Sequence, residues 1–129
     1  MADTPEETIK AAAAAYIAGQ GDRLSAELSG DVRVLGSHRP DVWEGADAAL
    51  EGLAPELRVH EAGEGISGSL VNFDEYPVEV VPVGDTIAYS SRTGDLDIGG
   101  EHHDVASWTT VLRLEKDWKI VHSHFSIHH

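Results

Sequence analysis

The chain has 129 residues, 41% of them hydrophobic and 25% charged, which suits one soluble domain with a single core and leaves no room for a second. Nine basic against 23 acidic residues give a net charge of −14, a surface that repels phosphate backbones and anionic lipid; nucleic-acid and membrane partners are not expected. Cysteine is absent, which excludes disulfides and thiolate catalysis. No apolar run reaches bilayer length, and the start, Met1 to Glu7, is acidic where a signal peptide is basic, so the expected location is cytoplasmic.

The predicted elements begin at Thr4, which can cap a helix, with Pro5 where its missing N–H costs nothing and Glu7 completing a capping box. Ile9, Ala12, Ala13, Tyr16 and Ile17 then share one helical face. Tyr16 is the one polar-tipped residue there: either a core tyrosine with a satisfied hydroxyl or a pocket residue. Gly19 and Gly21 end the helix, and Asp22 opens a short second one to about Leu28. A strand follows from Asp31 to Ser37. The loop His38-Arg39-Pro40-Asp41 before Trp43 is either a solvated connection or a polar site for an anion or a carbonyl. Asp47 caps a third helix with Ala49, Leu50, Leu53 and Leu57 on its apolar face, where Pro55 predicts a kink or two short helices. Residues 62–69 read as a loop and Leu70 to Phe73 as the start of a strand. Val78 to Val83 and Thr86 to Arg92 form a hairpin about Gly84-Asp85, and residues 93–100 another turn.

The chain closes on two long strands, Val105 to Leu114 and Trp118 to Ile127, joined by Glu115-Lys116-Asp117. Pairing Leu114 with Trp118 sets Leu112 against Ile120, Thr110 against His122 and Trp108 against His124. Trp108, His122 and His124 then share a face, with Val111, Val121 and Phe125 on the other. Helices can cover one face only. The apolar stripe of Trp108, Leu112, Leu114, Trp118 and Ile120 therefore predicts a homodimer packed through the face that carries it.

The run Trp118 to Ser126 resembles the terminal strand of SnoaL-like domains, within the nuclear transport factor 2-like superfamily, and is similar to the ending of the association domain of calcium/calmodulin-dependent kinases. Val34-Leu35-Gly36-Ser37 with Pro40 to Gly45 looks like the family's first strand and tryptophan-glycine turn, and Val80 to Tyr89 like its central hairpin. The resemblance implies one α+β domain over residues 1–129, with a cone-shaped, strongly bent, mostly antiparallel sheet wrapped around N-terminal helices in the cystatin-like manner. It also implies a cavity whose open end the first helix crosses, and it points to Tyr16, His38, Trp43, Tyr89, Arg92 and Phe125 as ligand-contacting residues. Dimers packed sheet to sheet recur in the family.

Histidine is concentrated late in the chain, at 102, 103, 122, 124, 128 and 129. A zinc site on His122 and His124 would need His102, His103 or Asp104 as well; the spacing fits no standard zinc motif, and neither metal nor cofactor is expected. The related ketosteroid isomerases use a carboxylate base with tyrosine and carboxylic-acid donors. Tyr16 sits comparably, but Asp95, Asp97 and Asp104 lie in or beside turn-like segments, so no catalytic residue is assigned. Two functions follow as expectations: a domain binding a small apolar molecule, with isomerase, cyclase or hydrolase activity as its enzymatic form, or a non-catalytic homodimerisation module with a vestigial cavity.

Overall fold

The computed structural model describes residues 4–36, 42–61 and 65–128. Helix α1 (Pro5–Ile17) starts as its residues dictate, with the Thr4 hydroxyl accepting from the Glu7 backbone N–H at 3.2 Å. Small residues let it lie close to the sheet: Ile9, Ala12 and Ala15 are buried, and the Thr8 hydroxyl donates to the Trp118 carbonyl at 2.9 Å. Helix α2 (Gly21–Glu27) runs directly into β1 (Leu28–Leu35), so this strand begins earlier than its charge pattern suggests. Strand β2 (Val42–Glu44) leads into α3 (Ala46–Glu61), which continues through Pro55 as one helix. Proline forfeits the hydrogen bond to the carbonyl of Glu51, but Glu51 and Pro55 are both exposed, and water can take the lost donor's place.

Beyond β3 (Ile66–Ser67), residues Ser69–Val71 form a 3₁₀ turn instead of the expected strand start. Strand β4 (Val81–Val83) makes the expected hairpin with β5 (Ile87–Ile98), Val83 opposite Ile87. β5 then continues through the segment read as a turn, because Gly94 and the aspartates serve the strand. A Cβ on Gly94 would lie 2.5 Å from the Ser69 hydroxyl oxygen and 2.9 Å from the Leu70 nitrogen, so glycine marks a close approach here. Asp95 accepts from the Ser69 backbone at 3.1 Å and also from its hydroxyl. These bonds hold its carboxyl below the usual range.

Strands β6 (Glu101–Leu114) and β7 (Trp118–His128) complete one curled sheet in the order β2-β1-β7-β6-β5-β3, with β4 also on β5. Only β1 and β7 pair in parallel among these strands. The expected register holds for Leu114–Trp118 and Leu112–Ile120 and then fails. An extra residue, Val121, bulges out of β7, after which Val111 faces His122, Thr110 faces Ser123 and Trp108 faces Phe125. Trp108 therefore shares its face with Phe125, on the helix side, while His122 and His124 turn to the outer face. The outer face is thus not the Trp108 face. One core joins Ile9, Leu24, Val32, Val34, Leu57, Leu112 and Ile120; a second, of Leu70, Leu96 and Ala106, packs against Phe125 and Ile127.

Candidate functional site

Members of both cores line a cavity of about 420 Å³ between the helices and the concave face of the sheet. Its size falls within the range of small-molecule sites. From the sheet come Leu96, Ile98, Trp108, Ile120, Phe125 and Ile127, and from the helices Ala12, Ala13, Ile17, Leu24 and Leu53. The Trp108 indole N–H donates to the Ser123 hydroxyl at 2.9 Å, which fixes the ring in the wall and satisfies its one polar atom.

The polar groups of the wall gather mainly where the end of α1 meets the end of α3. Leu53, Glu56 and His60 recur at three- and four-residue spacing and so share the cavity-facing side of α3. Tyr16 meets His60 edge-on, ring centroids 4.8 Å apart and planes at 65°. Burial pushes the Tyr16 phenol well above the usual range, and its hydrogen bond to the nearby Glu56 carboxylate adds to the shift. The phenol therefore stays protonated, its hydrogen directed at Glu56. His60 is only 7% exposed, and neither Nδ1 nor Nε2 has a hydrogen-bond partner. A buried group left so costs about 1–3 kcal/mol. On the sheet side, buried His103 has Nε2 3.9 Å from a Glu101 oxygen, and both residues line the cavity. The lining holds two carboxylates and, among the described residues, neither lysine nor arginine.

Of the residues singled out from the sequence, Tyr16 and Phe125 line this cavity. Trp43 does not reach it. Its indole lies over Gly52 of α3, where an added Cβ would fall 2.2 Å from the ring, and it packs against the core from outside the cavity. Tyr89 is also misplaced by the expectation: strand alternation buries Ala88 and Ser90 and turns Tyr89 to the outer face, 41% exposed. Arg92 is on the concave side but is committed elsewhere. It donates to the carbonyls of Leu70 (3.0 Å), Pro77 (3.3 Å) and Ser69 (3.4 Å) and lies 4.6 Å from the centre of the Phe73 ring, clamping the 3₁₀ turn to β5. His38 lies outside the described residues. Glu56, His60 and His103 were missed as cavity residues, although a glutamate and a histidine extending the stripe from Leu53 were a usable signal.

Nor do the late histidines at 102, 103, 122 and 124 converge; His129 lies outside the described residues. His122 and His124 are on the outer face, whereas His103 lines the cavity. His102 is held by Asp97 at 2.7 Å and Asp104 at 3.1 Å in the β5–β6 hairpin, which raises its pKa.

The family model for SnoaL-like domains matches residues 6–129. The chain belongs to the SnoaL-like domain family. A candidate calcium/calmodulin-dependent protein kinase type II association domain from Thiobacillus denitrificans is 22% identical, with a TM-score of 0.75 over 100% of this chain and 98% of the other. A candidate dehydratase of the NTF2-like family from Streptomyces avermitilis is 22% identical, TM-score 0.72, over 95% and 92%. A candidate ketosteroid isomerase from Shewanella frigidimarina is 19% identical, TM-score 0.70, over 93% and 92%. These likenesses show the α+β, NTF2-like fold. No curated protein matches the sequence. No described helix is long and apolar enough to cross a membrane.

Proposed function

We propose that this SnoaL-like domain binds a small, mostly apolar molecule in the cavity, with its polar end at Tyr16, Glu56 and His60. The observation that carries this reading is His60, a buried imidazole with no protein partner for either nitrogen in the wall of an apolar cavity. Folding tolerates such a group when a ligand completes it. A vestigial cavity would tend to fill with side chains and shed the buried histidine. Similarity to candidates for dehydratase and ketosteroid isomerase activity supports a small-molecule role, and an enzymatic form would draw its proton-transfer group from His60 or His103, the buried titratable residues of the lining. The test is thermal unfolding with phenanthrene as an uncharged apolar probe. The expected result is a rise in Tm that grows with probe concentration and disappears in Ala13→Phe, whose ring would occupy the cavity. No rise, or an equal rise in the variant, counts against the reading.

A second reading concerns assembly. Val81, Val83, Tyr89 and Val105 are each at least 41% exposed and, by strand alternation, all lie on the outer face. This face has no helix over it among the described residues, and a second copy presenting the same face would cover it. Sedimentation at micromolar concentration should give a dimer that Tyr89→Glu converts to monomer; a wild-type monomer overturns the reading.

A further inference from the structure

The hydrogen-bonding inventory at the end of α1 and α3 restricts what the cavity can accept. The Tyr16 proton is already given to Glu56, so what the phenol offers a ligand is an oxygen lone pair. A neutral imidazole at His60 carries one N–H and one lone pair, and neither has a partner. Rotation about χ2, which is soft for histidine, can bring either nitrogen to a group seated beside the Tyr16 ring. Besides the Glu56 carboxylate, which Tyr16 engages, the Tyr16–His60 pair thus presents one donor and two acceptors.

A carbonyl can use only the donor and would bury two acceptors unmet. A hydroxyl uses both kinds: its oxygen accepts from the imidazole N–H, and its proton goes to the imidazole lone pair or to the Tyr16 oxygen. Charge narrows the choice again. A carboxylate or phosphate would meet Glu56 and Glu101 with no lysine or arginine among the described residues of the lining, inside a chain of net charge −14. An ammonium would meet the carboxylates and satisfy the acceptors, but it would leave the imidazole N–H unpartnered and require desolvation of a charge against apolar walls.

Resting on the binding role proposed above, we infer that the ligand is an uncharged apolar alcohol or phenol, seated with its hydroxyl between Tyr16 and His60. Five probes sharing one ring system test this by equilibrium binding: phenanthrene and its hydroxy, aldehyde, carboxylate and aminomethyl derivatives. The hydroxy compound should bind at least ~10-fold more tightly than each of the others, the scale of one buried hydrogen bond with its partner left unmet otherwise. In His60→Phe its advantage over phenanthrene should shrink to within ~3-fold, whereas His60→Gln, whose amide keeps a donor and an acceptor, should retain most of it. Equal or tighter binding of the aldehyde, carboxylate or amine overturns the inference and leaves the cavity role standing. So does an advantage that survives His60→Phe. Failure of all five probes to bind overturns the cavity role itself and the inference with it.

Discussion

At the scale of single residues, the protein holds an imidazole without protein hydrogen-bond partners in the wall of its cavity. His60 is buried with two unpartnered nitrogens in a wall that leucine, isoleucine and aromatic side chains otherwise make apolar. Replacing a buried polar group that lacks partners by an apolar one of similar shape is neutral or stabilising. His60→Phe should therefore raise the stability of the unliganded protein by ~1 kcal/mol, about 4 °C in Tm for a chain of this size. Thermal unfolding checks it, and a drop of several degrees would show that the imidazole supports the fold. Tyr16 and Phe125 were legible as cavity residues through the family resemblance, with the helical period of α1 supporting Tyr16. His60 was not, since the apolar stripe of α3 was followed only as far as Leu57 and Pro55 suggested that the helix would break. Trp43 and Tyr89 came from segments matched to the family, and a segment match cannot tell packing on Gly52 or an exposed sheet face from a ligand wall.

At the scale of elements, the β6–β7 ladder decides which side chains reach the cavity. With one residue bulged at Val121, Ser123, Phe125 and Ile127 face inward, and His122 and His124 face outward. A straight ladder would invert all five, since a one-residue slip moves every side chain to the other face. Deleting Val121 removes only the bulged residue: Ile120 and His122 become neighbours, Val111–His122 and Trp108–Phe125 can still pair, and Phe125 and Ile127 should still face inward. Such a variant should stay soluble and unfold cooperatively; loss of cooperative unfolding would show that the ladder does not close over the deleted residue. The hairpins about Gly84-Asp85 and Glu115-Lys116-Asp117 form where the sequence predicts them. The bulge was invisible because Val121 is as apolar as its neighbours, and nothing in the pattern marks which residue leaves the ladder. The β5 extension was hidden likewise: glycine and aspartate in 93–100 signalled a turn, yet Gly94 is there for close packing with the 3₁₀ turn and Asp95 to receive Ser69.

For the whole molecule, the outer face carries a pH dependence of stability. Burial, with His124 and Arg33 nearby, lowers the His122 pKa from its ordinary 6.5. The unfolded chain then binds this proton more readily than the folded one, so stability falls as pH drops below about 6.5 and the loss levels off beneath the folded-state value. His102, raised by Asp97, works in the opposite sense, favouring the fold in acid and losing that contribution as pH rises through its folded pKa. His122→Gln should therefore flatten the acid-side loss of stability between about pH 6.5 and pH 5 relative to wild type, as urea unfolding at each pH would record. An unchanged slope would remove His122 from the account. All of this takes place on the side of the sheet away from the cavity, and that separation allows a direct test of the central claim, that a ligand's polar group meets His60 inside. Histidine-ring resonances, with His60 assigned by its loss in His60→Phe, can be followed while hydroxyphenanthrene is added. The His60 signals should shift and saturate with the probe while those of His122 and His124 stay in place; an unmoved His60 beside moving outer-face histidines would contradict the account.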